Sequence, residues 1–198
     1  MMIKIKEFHN SVLNSCTYCL YDNQQGEAAI IDPGDIDPIH SWLFQNDRIV
    51  NSIFLTHAHF DHVYGLFELY RLFPNCKIYC SKETYLGLKD SKINKSYMFL
   101  DGDLEIPDNE NFVFVNSKNV LEVMGVKVGI IETPGHDDDC LTYIIDKAIF
   151  TGDSYSDTYQ PQHRWNRSNL QVAAKSEIKI KRIIEDNGLI VYPGHFIN

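Results

Sequence analysis

Three times in this chain a short apolar run ends in a tight glycine turn followed at once by a side chain able to bind a metal. Residues 130–136 read IIETPGH, residues 148–153 read AIFTGD and residues 189–195 read LIVYPGH. A fourth run, NSIFL at 51–55, leads directly into THAHFDH. Apolar runs of this length bounded by Pro, Gly or polar clusters are signals for buried strands. Four such strands that each deliver polar groups at their carboxyl ends place those groups along one edge of a packed sheet assembly.

The remaining runs fit the same plan. IKIKEF, CTYCLYD and EAAIID, separated by turn residues, predict an antiparallel start. DIDPIHSWLFQN has helical spacing with Asp35 or Asp37 as a cap, and a second helix is expected over Val63–Phe73, stopped by Pro74. KIYC reads as a strand and SKETYLGLK as a short capped helix, while residues 91–110 form the least regular segment, a lid or a surface excursion. Strands resume at NFVFV, GVKVGII, LTYII and KAIFT, and one long helix is expected from about Asn169 to Asp186. This order suits two packed sheets with helices outside, an α/β (α+β) class. With 198 residues and no linker, repeat or low-complexity tract, the expectation is one domain over residues 1–198.

A formal net charge of −9 disfavours a broad basic surface, so nucleic acid is not the expected partner; a small molecule is. No run is long and apolar enough for a membrane span, and MMIKIKEFHN lacks the core of a signal peptide, so a cytoplasmic location is expected. The five cysteines are odd in number and irregularly spaced, which predicts buried thiols rather than a disulfide framework or a Cys16–Cys19 zinc ribbon. The sequence leaves the oligomeric state open.

The polar cluster carries the chemistry. His57 and His59 follow a strand and share a side by its two-residue period, while Asp61 and His62 fall at the turn into a helix. A chance HxHxDH in a chain of this composition has odds on the order of one in a thousand. His136, Asp153 and His195, each beside a glycine, bring the candidate set to seven nitrogen and oxygen donors. Such donors suit zinc, with iron or manganese compatible, and their number suits two divalent ions with water filling the rest. Bound water of that kind is a nucleophile near neutral pH.

THAHFDH, TPGH, FTGD and YPGH, in this order, resemble the metallo-β-lactamase superfamily, and within it the small glyoxalase II-like (hydroxyacylglutathione hydrolase-like) enzymes. The resemblance implies an αββα four-layer sandwich with a dinuclear site on one edge. It implies that His57, His59 and His136 hold one metal, that Asp61, His62 and His195 hold the other, and that Asp153 bridges them. It also implies that Asp61 orients the attacking hydroxide and that Asp32, in IIDPG, supports the site without ligating. The resemblance makes a thioester or related ester the first expected substrate, ahead of phosphodiester or nucleic-acid cleavage, lactone or β-lactam hydrolysis, and iron-dependent persulfide oxidation.

The chain departs from that pattern in two places. Asp137, Asp138 and Asp139 follow TPGH and are read here as capping their loop. Residues 154–169 replace the usual substrate loop, and no counterpart is seen of the helical region that helps bind glutathione. The replacement loop carries Tyr155, Tyr159, His163, Arg164, Trp165 and Arg167, a mixture suited to an anionic or aromatic substrate, with Tyr155, Arg164 and Arg167 the candidate substrate contacts.

Overall fold

The computed structural model describes residues 2–23, 26–101, 104–107, 109–161 and 167–197. The chain begins with β1 (Lys4–His9), β2 (Cys16–Tyr21) and β3 (Glu27–Ile31), followed by α1 (Ile36–Gln45) and β4 (Ile49–Phe54). The short α2 (Phe60–Val63) and α3 (Leu66–Leu72) come next, then β5 (Lys77–Cys80), α4 (Lys82–Leu88), α5 (Ser91–Asn94) and β6 (Phe112–Phe114). The second half runs β7 (Leu121–Val123), β8 (Val126–Glu132), β9 (Leu141–Ile145), β10 (Ala148–Gly152), α6 (Leu170–Asn187) and β11 (Ile190–Pro193).

Two sheets result. The first has the order β1-β2-β3-β4-β5-β6, antiparallel up to β3 and parallel from β3 onward. The second has the order β11-β10-β9-β8-β7, with β10 and β11 parallel across α6 and the other pairs antiparallel. The alternation of side chains along each strand decides what lies between the sheets. Tyr18, Leu20, Ala29, Ile31 and Phe54 of the first sheet meet Val128, Ile130, Tyr143, Ile145 and Phe150 of the second in one buried cluster. The other face of the first sheet, including Cys19, Ala28, Ile30, Ile53 and Ile78, packs on Ile39 and Leu43 of α1, Leu66 and Leu69 of α3 and Leu88 of α4. Helix α6 lies by the second sheet, its Ser176 Oγ donating to Pro134 O at 2.7 Å and Lys179 Nζ to Glu132 O at 3.3 Å. This is the expected αββα sandwich.

All five cysteines are buried free thiols. Cys16 faces the inter-sheet core and Cys19 the helical side, since a spacing of three on a strand points two side chains to opposite faces. They cannot share a metal.

Two elements differ from the sequence reading. The helix expected over Val63–Phe73 is broken at Tyr64–Gly65, because the Gly65 N–H leaves the helical ladder and donates to Pro33 O at 3.1 Å. Strand β7 was not expected; Met124 and Gly125 take positive φ values of 48° and 72° and close it onto β8. That is the backbone of a two-residue hairpin turn, written with Met-Gly in place of the usual Asn-Gly. Asp35 does precede α1, but its carboxylate binds Ser11 and the Tyr64 hydroxyl instead of capping the helix.

Candidate metal centre

The four strand ends converge at one edge of the sandwich. After β4, Thr56 is held by Asp32, which accepts from Thr56 N at 2.8 Å and from Thr56 Oγ1 at 2.6 Å. Since the Thr56 hydroxyl proton is directed at Asp32, its oxygen accepts from Nδ1 of His57 at 3.0 Å. His57 therefore presents an unprotonated Nε2, and that atom is buried with no hydrogen-bond partner. Asp32 also takes Nδ1 of His62 at 3.1 Å, which turns the His62 Nε2 into the cluster. Asp32 itself sits at φ +51°, a conformation that Asp tolerates better than most side chains.

His59 is held the other way round. Its Nε2 meets Asp137 Oδ2 at 3.3 Å, and its Nδ1 lies 3.0 Å from Nε2 of His136. Offered atoms of His57, His59 and His136 all lie within 4.8 Å of one another, and all three residues are buried. His136 reaches this position because Gly135 has φ +133° and packs against α6. A Cβ there would stand 2.3 Å from the backbone of Ala173.

A second group of three comprises Asp61, His62 and His195. Leu13 O accepts from Nδ1 of His195 at 2.9 Å, so His195, like His62, points an Nε2 lone pair inward; the two Nε2 atoms are 3.3 Å apart. Two lone pairs at that distance repel unless a proton or a cation lies with them. Asp61 Oδ2 is 3.6 Å from one and 3.4 Å from the other. Asp153 spans the two groups: Oδ2 is 3.3 Å from His136 Nε2, and Oδ1 is 3.4 Å from His62 Nε2 and 3.2 Å from His195 Nε2. Its Oδ1 is buried and makes no hydrogen bond despite these short separations, the arrangement of donors aimed at a common point rather than at each other. Only glycine fits at Gly194, where a Cβ would fall 2.3 Å from Asp153 Oδ1.

Burial and the neighbouring charges set the electrostatics of the cluster. Burial depresses the His57 pKa, and the neighbouring His62 and His59 depress it further. Burial acts the same way on His62 and His195, but the carboxylates outweigh it: Asp61 and Asp153 hold the His62 pKa well above its usual range, and Asp153 raises that of His195. Burial opposes ionisation of Asp153, yet His195, His136 and His62 keep its pKa well below the usual carboxylate range.

The acids after His136 do not simply cap their loop. Asp138 is exposed, but Asp137 and Asp139 are buried. Asp139 Oδ2 accepts from Ala58 N at 2.8 Å, fixing the backbone between His57 and His59. Asp137 takes His59 on one oxygen and the Arg167 guanidinium on the other at 2.6 Å. Burial opposes ionisation of Asp137, but His59 and Arg167 lower its pKa to about 2. Arg167 is thus engaged with the acids of the centre. Tyr155 does not line the cavity among the described residues and stands by α6, its ring 5.6 Å from Lys181 Nζ. His163, Arg164 and Trp165 lie outside the described residues.

A cavity of about 660 Å³ opens onto the cluster, reaching His59, Asp61, His136, Asp153 and His195. Tyr159 of the replacement loop also lines it, as do Lys95, Met98 and Phe99, the last three not singled out by sequence reasoning as contacts. Tyr159 accepts from the His195 backbone N–H at 3.1 Å. The signal that could have found Met98 and Phe99 was the apolar YMFL inside an otherwise polar segment. No helix among the described residues is long and apolar enough to cross a membrane.

Residues 13–195 match the family model described as the metallo-beta-lactamase superfamily. A hydroxyacylglutathione hydrolase of Francisella tularensis subsp. novicida is 26% identical over 197 residues, 98% of this chain and 68% of the relative. Hydroxyacylglutathione hydrolase 1 of Vibrio vulnificus is 29% identical over 143 residues, 72% of this chain and 48% of the relative. The chain thus spans about two thirds of the first and less than half of the second. Among solved structures, the BLEG-1 B3 metallo-beta-lactamase has a TM-score of 0.85 at 23% identity, covering 98% of this chain and 92% of that one. ETHE1 from Myxococcus xanthus has a TM-score of 0.74 at 22% identity, covering 98% and 76%. At these identities the two structures are similar in fold.

Proposed function

Because the chain belongs to the metallo-beta-lactamase superfamily and its named relatives mark it as a hydrolase, we propose that it is a metal-dependent hydrolase of a small thioester or related ester. The observation that carries this reading is the placement of Asp153 between two three-donor groups, with one carboxylate oxygen facing His136 Nε2 and the other facing His62 Nε2 and His195 Nε2. The donor set fits zinc: it is all nitrogen and oxygen, with the imidazoles of His57, His59, His62 and His195 fixed in orientation by partners outside the cluster. His57 Nε2, His59 Nδ1 and His136 Nε2 would hold one ion, Asp61, His62 and His195 the other, with Asp153 shared.

Two divalent ions held there would supply a water-derived nucleophile near neutral pH and would polarise the carbonyl to be cleaved. The chain's own residues do the rest. Asp61 lines the cavity beside His62 and His195, where it orients the attacking water and accepts its proton. Asp32, Thr56 and Leu13 O fix which ring nitrogen each histidine presents. Asp139 holds the Ala58 amide, so the two histidines that flank it keep their spacing.

The test is a substrate panel on zinc- or manganese-loaded protein: acyl thioesters, lactones, β-lactams and bis-(p-nitrophenyl) phosphate, with Asp61→Asn and a chelated sample as controls. Thioester or ester turnover that disappears with chelator and in Asp61→Asn supports the reading. Turnover of the phosphodiester alone overturns the ester assignment, and protein that retains less than about one equivalent of metal with no recovery on reloading overturns the hydrolase assignment.

A further inference from the structure

The mouth of the cavity is unusually apolar for a site built of histidines and carboxylates. Leu13 from the β1–β2 turn, Met98 and Phe99 from the segment after α5, and Phe196 and Ile197 after β11 come from three separate parts of the chain to ring one opening. Four of them are large apolar side chains left in water: Leu13 is 56% exposed, Met98 50%, Phe99 40% and Ile197 62%. Apolar groups gathered around a functional opening mark what is meant to lie there.

The backbone reinforces the point at Leu13. It has φ +52°, a region that side chains other than Gly, Asn or Asp seldom occupy. The Leu13 carbonyl accepts from Nδ1 of His195, so the turn that orients a candidate ligand also projects a leucine over the opening. Among the described lining residues, the charge other than the histidines and carboxylates is Lys95, and its ammonium donates to Lys92 O at 2.9 Å.

We propose that the non-reacting part of the substrate is an uncharged alkyl chain, held by Leu13, Met98, Phe99 and Ile197, so that the site prefers medium-chain acyl esters or thioesters over glutathione thioesters. This rests on the hydrolase reading above. A glutathione thioester brings two carboxylates and an ammonium to the opening; an acyl chain buries against it.

Metal-loaded protein is assayed with N-acetylcysteamine thioesters from acetyl to octanoyl, with S-lactoylglutathione alongside. The expected result is a rise in kcat/KM of roughly two- to fourfold per methylene, with lactoylglutathione no better than the acetyl thioester. Phe99→Asp and Met98→Ser reduce the octanoyl-to-acetyl ratio by about tenfold or more. A flat profile, or lactoylglutathione as the best substrate, overturns the proposal. Calorimetric binding of octanoate against acetate separates the two ideas: no turnover anywhere, with octanoate bound at least tenfold more tightly and Phe99→Asp abolishing the difference, removes the hydrolase reading and supports the apolar site. Octanoate bound no better than acetate overturns the proposal whatever the turnover. A flat profile in which Phe99→Asp converts a dimer to a monomer assigns the rim to a second copy of the chain, and also overturns it.

Discussion

Replacing Asp137 by asparagine keeps the side chain's shape and inverts one hydrogen-bonding role. Held near pKa 2, Asp137 is ionised and accepts on both oxygens: Asp138 N and Arg167 Nε on Oδ1, each at 2.6 Å, and His59 on Oδ2 at 3.3 Å. His59 must therefore carry its proton on Nε2 and offer a lone pair at Nδ1, the atom 3.0 Å from His136 Nε2. In Asp137→Asn the two donors on Oδ1 claim the amide oxygen, so the amide NH2 faces His59 Nε2. That nitrogen then becomes the acceptor and the proton moves to Nδ1, where a metal needs the lone pair. Loss of such an outer partner costs about 10- to 100-fold in metal affinity, or about 1.4 to 2.7 kcal/mol. The fold loses less: Arg167 is partly exposed, so weakening its bond to Asp137 costs about 1 kcal/mol and lowers the Tm by a few degrees. The assay is zinc competition with a chromophoric chelator, run beside thermal melting of the metal-free protein. One of two zinc equivalents weakens at least tenfold, while Arg167→Met, which leaves the His59 bond in place, weakens it less. Two equivalents bound within about twofold of the wild type would refute the tautomer argument.

Asp139 gives the clearest pH dependence. Burial, then the Asp137 charge, raises its pKa to about 6 from an ordinary value near 4. The folded state thus binds a proton that the unfolded state has released, and this contribution to stability is present below about pH 4 and lost as pH rises through 6. Metal-free Asp139→Asn, which keeps an acceptor for Ala58 N, is therefore expected to gain up to about 3 kcal/mol over wild type at pH 7.5 and little at pH 4 in urea unfolding; an equal difference at both pH values counts against it. His62 and His195 have raised pKa values, so zinc binding is expected to release protons near neutral pH and to weaken as pH falls. Calorimetric heats that do not change with buffer ionisation enthalpy would contradict this. Gly135→Ala forces a methyl to within 2.3 Å of Ala173 at a φ of +133° and is expected to destabilise the protein by about 2 kcal/mol or more, read from the urea midpoint.

What the sequence made legible was whatever depends on short-range pattern. THAHFDH and the repeated strand, glycine, donor arrangement located all seven candidate donors, and Pro74, Ser81 and Asn169 marked real helix boundaries. What it hid depends on contacts far apart in the chain. Asp137 meets His59 across 78 positions and Asp139 meets Ala58 across 81, so a run of three acids reads locally as loop polarity. The break at Gly65 was hidden for the same reason, because its cause is the Pro33 carbonyl from another segment. Strand β7 escaped because three residues are too few to show a period and Met-Gly is not a familiar hairpin signal.

The division of the candidate donors between the sheets has a consequence for how the protein is made. The first sheet is complete by Phe114 and carries His57, His59, Asp61 and His62 at its edge; His136, Asp153 and His195 belong to the second. Neither half holds a closed set, and His195 emerges from the ribosome only after β11 has been synthesised. On the proposed assignment, His57, His59 and His136 complete one set by residue 136, while the set of Asp61, His62 and His195 closes last; an ion held in either would clamp one sheet to the other and resist their separation.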